Sequence, residues 1–142
     1  MRIAVFILCL IAGAAVCQFK APIDDCIVDL EGDISLIEKL SADLDAGNIL
    51  AIIQDIASGA NQIQKTQTDC NAITQDQVIA WAYTHLTTAQ QKACILDVFN
   101  AMQGVYEIKA DIANKDYPAL FRDIASQIEV FDQAKTDCNG AF

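Results

Sequence analysis

Residues 26–71, CIVDLEGDISLIEKLSADLDAGNILAIIQDIASGANQIQKTQTDCN, return 68 positions later as residues 94–139, CILDVFNAMQGVYEIKADIANKDYPALFRDIASQIEVFDQAKTDCN. Laid over one another without a gap, the two stretches share 14 identities in 46 positions. Cys26 falls on Cys94 and Cys70 on Cys138, so both cysteines keep register. Ile27 and Asp29 match Ile95 and Asp97, and Ala42-Asp43 matches Ala110-Asp111. Ala51 matches Ala119, Asp55-Ile56-Ala57-Ser58 matches Asp123-Ile124-Ala125-Ser126, and Thr68-Asp69-Cys70-Asn71 matches Thr136-Asp137-Cys138-Asn139. Chance would not hold both cysteines in place, so the chain reads as an internal duplication.

Each copy has the pattern of a helical hairpin. Ile27, Leu30, Ile34, Ile37 and Leu44 recur three and four apart, with Ser41 as the polar break. After Gly47-Asn48 the pattern restarts at Ile49, Ile53, Ile56, Ala60 and Ile63 and runs to Cys70. The second copy gives Ile95, Val98, Met102, Val105 and Ile112, broken by Lys109, then Tyr117, Phe121, Ile124, Ile128 and Phe131 before Cys138. A three-and-four spacing is that of one helix face, and period-two alternation is absent. Gly47 suits a left-handed helix end and Asn48 the next N-cap, while Asp116 and Pro118 suit the start of the last helix.

The turns fall midway between the cysteines of each copy. Two antiparallel arms of equal length place such cysteines side by side at the open end, about 30 Å from the turn. The pairing expected is Cys26–Cys70 and Cys94–Cys138; Cys26–Cys138 with Cys70–Cys94 would also respect the repeat. Between the copies, residues 72–88 have no counterpart. Thr74 with Gln77 and Thr87 with Gln90 have capping-box spacing, so a short helix over about 75–85 and a new one from about 88 are expected. The whole reads as all-α: a four-helix bundle of two disulfide-closed hairpins, 26–71 and 94–139, plus the connecting helix. As domains, this is a signal over 1–17 and one helical unit over 18–142, with repeat 1 at about 24–71, a linker at 72–88 and repeat 2 at about 89–139.

Arg2 followed by the apolar run 3–16 has the form of a secretory signal, with cleavage expected after Ala15-Val16-Cys17. Fourteen residues span roughly 21 Å of helix, short of a ~30 Å hydrocarbon core. A lipoprotein reading with Cys17 lipidated is disfavoured by Val16 before it. Export to an oxidising compartment fits four remaining cysteines in two disulfides. The chain carries 9 basic and 19 acidic residues, net -10, or -11 once Arg2 is removed. That balance argues against nucleic acid and against a basic membrane-binding patch. With 54% hydrophobic residues, the chain has enough apolar surface to fold.

Reactive chemistry finds little support. His85 is the single histidine, and no nucleophile elbow surrounds Ser35, Ser41, Ser58 or Ser126. One histidine and four disulfide cysteines do not make a zinc site. Asp24, Asp25, Asp29, Glu31 and Asp33 begin like a calcium loop, but Ile34 stands where glycine is needed and Leu40 where the bidentate glutamate belongs. These carboxylates are read as complementing the helix dipole, with the remainder facing water. No catalytic residue, metal or cofactor is expected.

One asymmetry stands out. Repeat 1 has no aromatic residue between 26 and 71, whereas repeat 2 has Phe99, Tyr106, Tyr117, Phe121 and Phe131. Tyr117, Phe121 and Phe131 replace Ile49, Ile53 and Ile63 and are read as core. Phe99 and Tyr106 replace Glu31 and Glu38, so a solvated face has become apolar. Either the connecting helix covers it with Trp81 and Tyr83, or Trp81, Tyr83, Phe99 and Tyr106 form a face for a partner or an apolar ligand.

The function expected is that of a secreted, non-catalytic helical module acting by contact with another extracellular protein, as a structural component, surface factor or inhibitor. The alternative is a carrier of a small apolar ligand or lipid. The four-cysteine, four-helix outline is similar to plant invertase and pectin methylesterase inhibitors. Those place one cysteine pair in an N-terminal hairpin, so the likeness is one of architecture and no residue role carries over.

Overall fold

Pro22 opens the first helix of the computed structural model, which describes residues 21–142; the expected signal at 1–17, with Cys9 and Cys17, lies outside the described residues. Among the described residues there are six helices and no strand: α1 (Pro22–Asp45), α2 (Ile49–Ser58), α3 (Ala60–Cys70), α4 (Gln75–His85), α5 (Ala89–Ala113) and α6 (Tyr117–Cys138). None of them is long and apolar enough to cross a membrane.

The helix ends follow local chemistry. Asn48 accepts a hydrogen bond from the Ala51 backbone N–H at 3.1 Å, and Asp116 accepts one from Ala119 at 3.2 Å. Gly47 takes φ +65°, and Lys115, 68 residues on, takes φ 54° without glycine's freedom. Thr74 and Gln77 close the expected capping box. The cap of α5 is Thr88 rather than Thr87: its side chain accepts from the Gln91 N–H at 3.0 Å, one residue later than the Thr87/Gln90 spacing suggests. The arm from Ile49 to Cys70 is broken at Gly59, which ends α2 and begins α3, whereas Tyr117–Cys138 is continuous.

Two disulfides join Cys26 to Cys70 and Cys94 to Cys138, with Cα atoms 4.8 and 4.6 Å apart. The faces that carry these cysteines are buried. Counting back from Cys70 in helical steps gives Thr66, Ile63, Ile56 and Ile52, all buried; from Cys138 it gives Ala134, Phe131, Ile124 and Leu120, also buried. The rows beside them turn outward. Ile49 and Ile53 are half-buried, and Tyr117 and Phe121, expected in the core, are each 54% exposed. Ile56, Ile63, Ile124 and Phe131 of the expected stripes are buried, Ile128 is 37% exposed, and near the turns Ile52 and Leu120, in helical step with the bridging cysteines, lie inside in place of Ile49, Ile53, Tyr117 and Phe121.

α1 and α5 supply the centre: Ile27, Leu30, Ile37 and Leu40 from one, and Ile95, Val98, Met102, Val105 and Ile108 from the other. α5 packs along α6, α1 along α3 and α6, and α4 lies on α5 and the start of α1. Two polar contacts between the two disulfide-linked segments are reciprocal. Ser41 Oγ donates to Asp132 Oδ1 at 2.5 Å, and Lys109 Nζ donates to Gln64 Oε1 at 3.1 Å. Lys109 stands 68 positions after Ser41, and Asp132 stands 68 after Gln64. Thus the two polar breaks in the apolar stripes, Ser41 and Lys109, are accounted for by partners in the other segment.

Candidate functional site

The four aromatic positions singled out by sequence are not gathered on one face. Phe99 is 6% exposed and belongs to the core. Tyr106 packs half-buried against it; its hydroxyl is buried without a hydrogen-bond partner, and burial, with Asp33 and Asp29 nearby, raises its pKa. Trp81 is half-buried, and its Nε1–H donates to Asp24 Oδ1 at 3.2 Å, tying α4 to the first turn of α1. Tyr83 stands 71% exposed with the Lys92 ammonium 4.8 Å from its ring centre.

Trp81 and Tyr83 line different grooves. Trp81 borders one with Ala21, Ile23, Ile73 and Gln77, of about 380 Å³. Tyr83 borders another, of about 320 Å³, between α4 and α5, where Ile79, Ala82, Ala93 and Leu96 give apolar walls and Lys92 a single cation. His85 closes α4 by stacking on Trp81, ring centres 4.5 Å apart and 5° from parallel, while its Nδ1 lies 2.9 Å from the Trp81 carbonyl oxygen.

Asp29 and Asp33 depart from the expectation that carboxylates beyond the first turn face water: they are 3% and 0% exposed. Thr66 Oγ1 donates to Asp33 Oδ2 at 2.6 Å, and burial pushes the Asp33 carboxyl up to about 6. Asp29 is met by Lys65 at 2.6 Å, and the same ammonium lies 3.0 Å from Asp69. Both acids look inward because they share a face with Cys26, Leu30 and Ile37, three and four residues apart. Sixty-eight residues on, the buried Asp33–Thr66 pair is replaced by Ala101 and Ala134, both fully buried.

Four carboxyl pairs then come into view, and sequence reasoning missed all of them. Asp29 meets Asp69, Asp43 meets Asp55, Asp97 meets Asp137, and Asp111 meets Asp123. In each pair one oxygen on α1 or α5 is buried without another hydrogen-bond partner: Asp29 Oδ2, Asp43 Oδ2, Asp97 Oδ2 and Asp111 Oδ2. The hydrogen bond with Asp55, followed by burial, pushes Asp43 up to about 6, and the bond with Asp123 does the same to Asp111. Burial, then the Asp137 carboxyl, pushes Asp97 up to about 7. Two carboxyls in contact with no cation between them do so by sharing one proton, whereas Asp29 and Asp69 share the Lys65 ammonium. A signal was present: all eight aspartates are among the 14 identities between the two stretches. Among the described residues no three His, Cys, Asp or Glu side chains are grouped so as to hold a metal ion.

No protein-family model, no curated protein and no solved structure matches the chain.

Proposed function

We propose that the chain is an exported module of two duplicated, disulfide-closed helical hairpins in a four-helix bundle, and that it works without catalysis by contact with another extracellular protein. The reciprocal pairs Ser41–Asp132 and Lys109–Gln64 support the duplicated arrangement, because contacts that exchange positions are the mark of a twofold relation between like units. A pair of disulfides suits an oxidising compartment.

The observation that carries the functional reading is where the large apolar side chains remain in water. Leu50 in the first turn of α2 is 64% exposed, and Tyr117 and Phe121 at the start of α6 are each 54% exposed. Isolated exposed apolar residues are ordinary, and Val28, Tyr83 and Phe142 are exposed elsewhere, but Leu50, Tyr117 and Phe121 fall just after the turn in each of the two hairpins. Aromatic side chains such as Tyr117 are among those that most often anchor a protein interface. The test is proximity labelling in cells exporting the protein with Leu50, Tyr117 and Phe121 all changed to Ser. The reading expects an unchanged fold and a lost labelled neighbour; an unchanged set of neighbours overturns it.

A second reading, carriage of a small apolar molecule, is favoured by the α4–α5 groove, whose volume of about 320 Å³ is at the small end of ligand sites. Native mass spectrometry of the exported protein separates the two: a bound small molecule that is lost on Leu96→Asp substitution supports the carrier.

A further inference from the structure

We propose that Asp97 on α5 and Asp137 on α6 form a one-proton clasp at the mouth of the second hairpin, holding the two arms together when the pair shares a proton and straining them when both carboxyls are charged.

The geometry leaves these groups no means of avoiding each other. Asp97 lies one turn after Cys94, and Asp137 directly precedes Cys138, so the disulfide, with its Cα atoms 4.6 Å apart, pins both carboxyls at the same level. Asp97 Oδ2 is buried and has no other partner. Gln133 Nε2 donates to Asp137 Oδ2 at 2.9 Å, which orients that carboxylate but brings no charge. In the other hairpin, 68 residues earlier, the position of Gln133 is held by Lys65, whose ammonium lies within 3.0 Å of both Asp29 and Asp69. One mouth is therefore neutralised by a built-in cation. The other lacks it, and solvent protons take its place.

The roles within the pair are unequal. Asp137, held low by the hydrogen bond from Asp97 and then by Gln133, keeps the charge, and Asp97, the more deeply placed, keeps the proton. Asp137 is the charged group bearing on Asp97. Because Asp97 is raised, the clasp contributes its full stability below the ordinary carboxyl value of 3.8 and loses it as pH rises through about 7. Asp137 is lowered and acts in the opposite sense, its contribution fading only as pH falls below 3.8. The clasp is thus closed between about pH 4 and 7 and opens above.

Asp33, Asp43 facing Asp55, and Asp111 facing Asp123, Asp116 and Arg122, titrate in the same direction as Asp97. A bulk pH profile therefore does not isolate the clasp; comparison of variants does. The experiment is urea unfolding at pH 5 and pH 8, disulfides intact, on the wild type, Asp97→Asn and Gln133→Lys. The ratio of unfolding constants between the two pH values should shrink about tenfold or more in both variants, since stability linked to a raised carboxyl changes by a factor of about ten for every pH step between its unfolded and folded midpoints. An unchanged ratio in both overturns the proposal. Carbon-13 carboxyl titration of the wild type needs no variant to fold: a midpoint for Asp97 near 7 supports the clasp, and one near 3.8 overturns it.

Discussion

Gln127 on α6 fills the space that a side chain on Gly104 of α5 would need: a Cβ there would lie 2.2 Å from Gln127 Oε1 and 2.7 Å from its Cγ. Sixty-eight residues earlier the same two positions are Leu36 and Gly59, and there the leucine Cδ1 lies 3.6 Å from where a Cβ on Gly59 would sit. The bulky and the empty member have changed places between the two disulfide-linked segments. Close packing leaves no room for a side chain at Gly104 beside Gln127, whereas a Cβ at Gly59 would meet Leu36 only at ordinary contact distance.

The exchange should be measurable as coupling. Gly104→Leu is expected to destabilise by about 2 kcal/mol through overpacking. Adding Gln127→Gly should recover most of that loss, giving an interaction energy of at least about 1 kcal/mol in a double-mutant cycle by urea unfolding. Additive effects would show that the two positions do not compete for the same space.

Lys115 adopts φ 54° where Gly47 holds the matching turn. Left-handed backbone costs a side-chain-bearing residue about 1–2 kcal/mol, partly offset by the entropy glycine loses on folding. Lys115→Gly should therefore raise stability by up to about 1 kcal/mol, read as a higher thermal midpoint. Gly47→Lys should lower it by a similar amount.

Each disulfide closes a separation of 44 residues. Replacing Cys94 and Cys138 together with Ala should cost about 2–4 kcal/mol and leave the Cys26–Cys70 bond intact in non-reduced peptide maps. A bond joining Cys26 or Cys70 to Cys94 or Cys138 in a map of the wild type would contradict the structure.

Asp33 is fully buried, accepts a hydrogen bond from Thr66, and is pushed up to about 6 chiefly by burial. Its raised value means that stability from this group is present in acid and lost as pH rises through about 6. Asp33→Asn keeps an acceptor for Thr66 without the charge, so it should stabilise the protein at pH 8 and change little at pH 4. The check is the difference in urea midpoints between wild type and variant at those two pH values.

Much of the fold was legible in the residues because it rests on local or repeated chemistry. The helix starts at Asn48, Thr74 and Asp116, the turn at Gly47 and the pairing of the four cysteines depend on nearby side chains or on the symmetry of two like segments. The candidate site was less legible. Trp81, Tyr83, Phe99 and Tyr106 stand out in composition, yet the burial of Phe99 in the core and the exposure of Tyr83 depend on how the helices pack together. The aspartates were visible as repeated residues, but their pairing crosses from one arm to the other.

Periodicity and capping residues by themselves determined that the described residues are helical, since each acts through a few bonds or one helical turn, while the cysteine spacing left two symmetric pairings, of which the structure has Cys26–Cys70 and Cys94–Cys138. Only the tertiary structure decided which of two adjacent apolar rows on α2 and α6 went inside. Ile49 and Ile52 lie about 60° apart around the helix axis, and either row alone makes an amphipathic stripe. Packing against the other helices put Ile52 inside with Ile56 and Ile63, in step with Cys70, and on the matching helix put Leu120 inside, in step with Cys138, leaving Tyr117 and Phe121 in water.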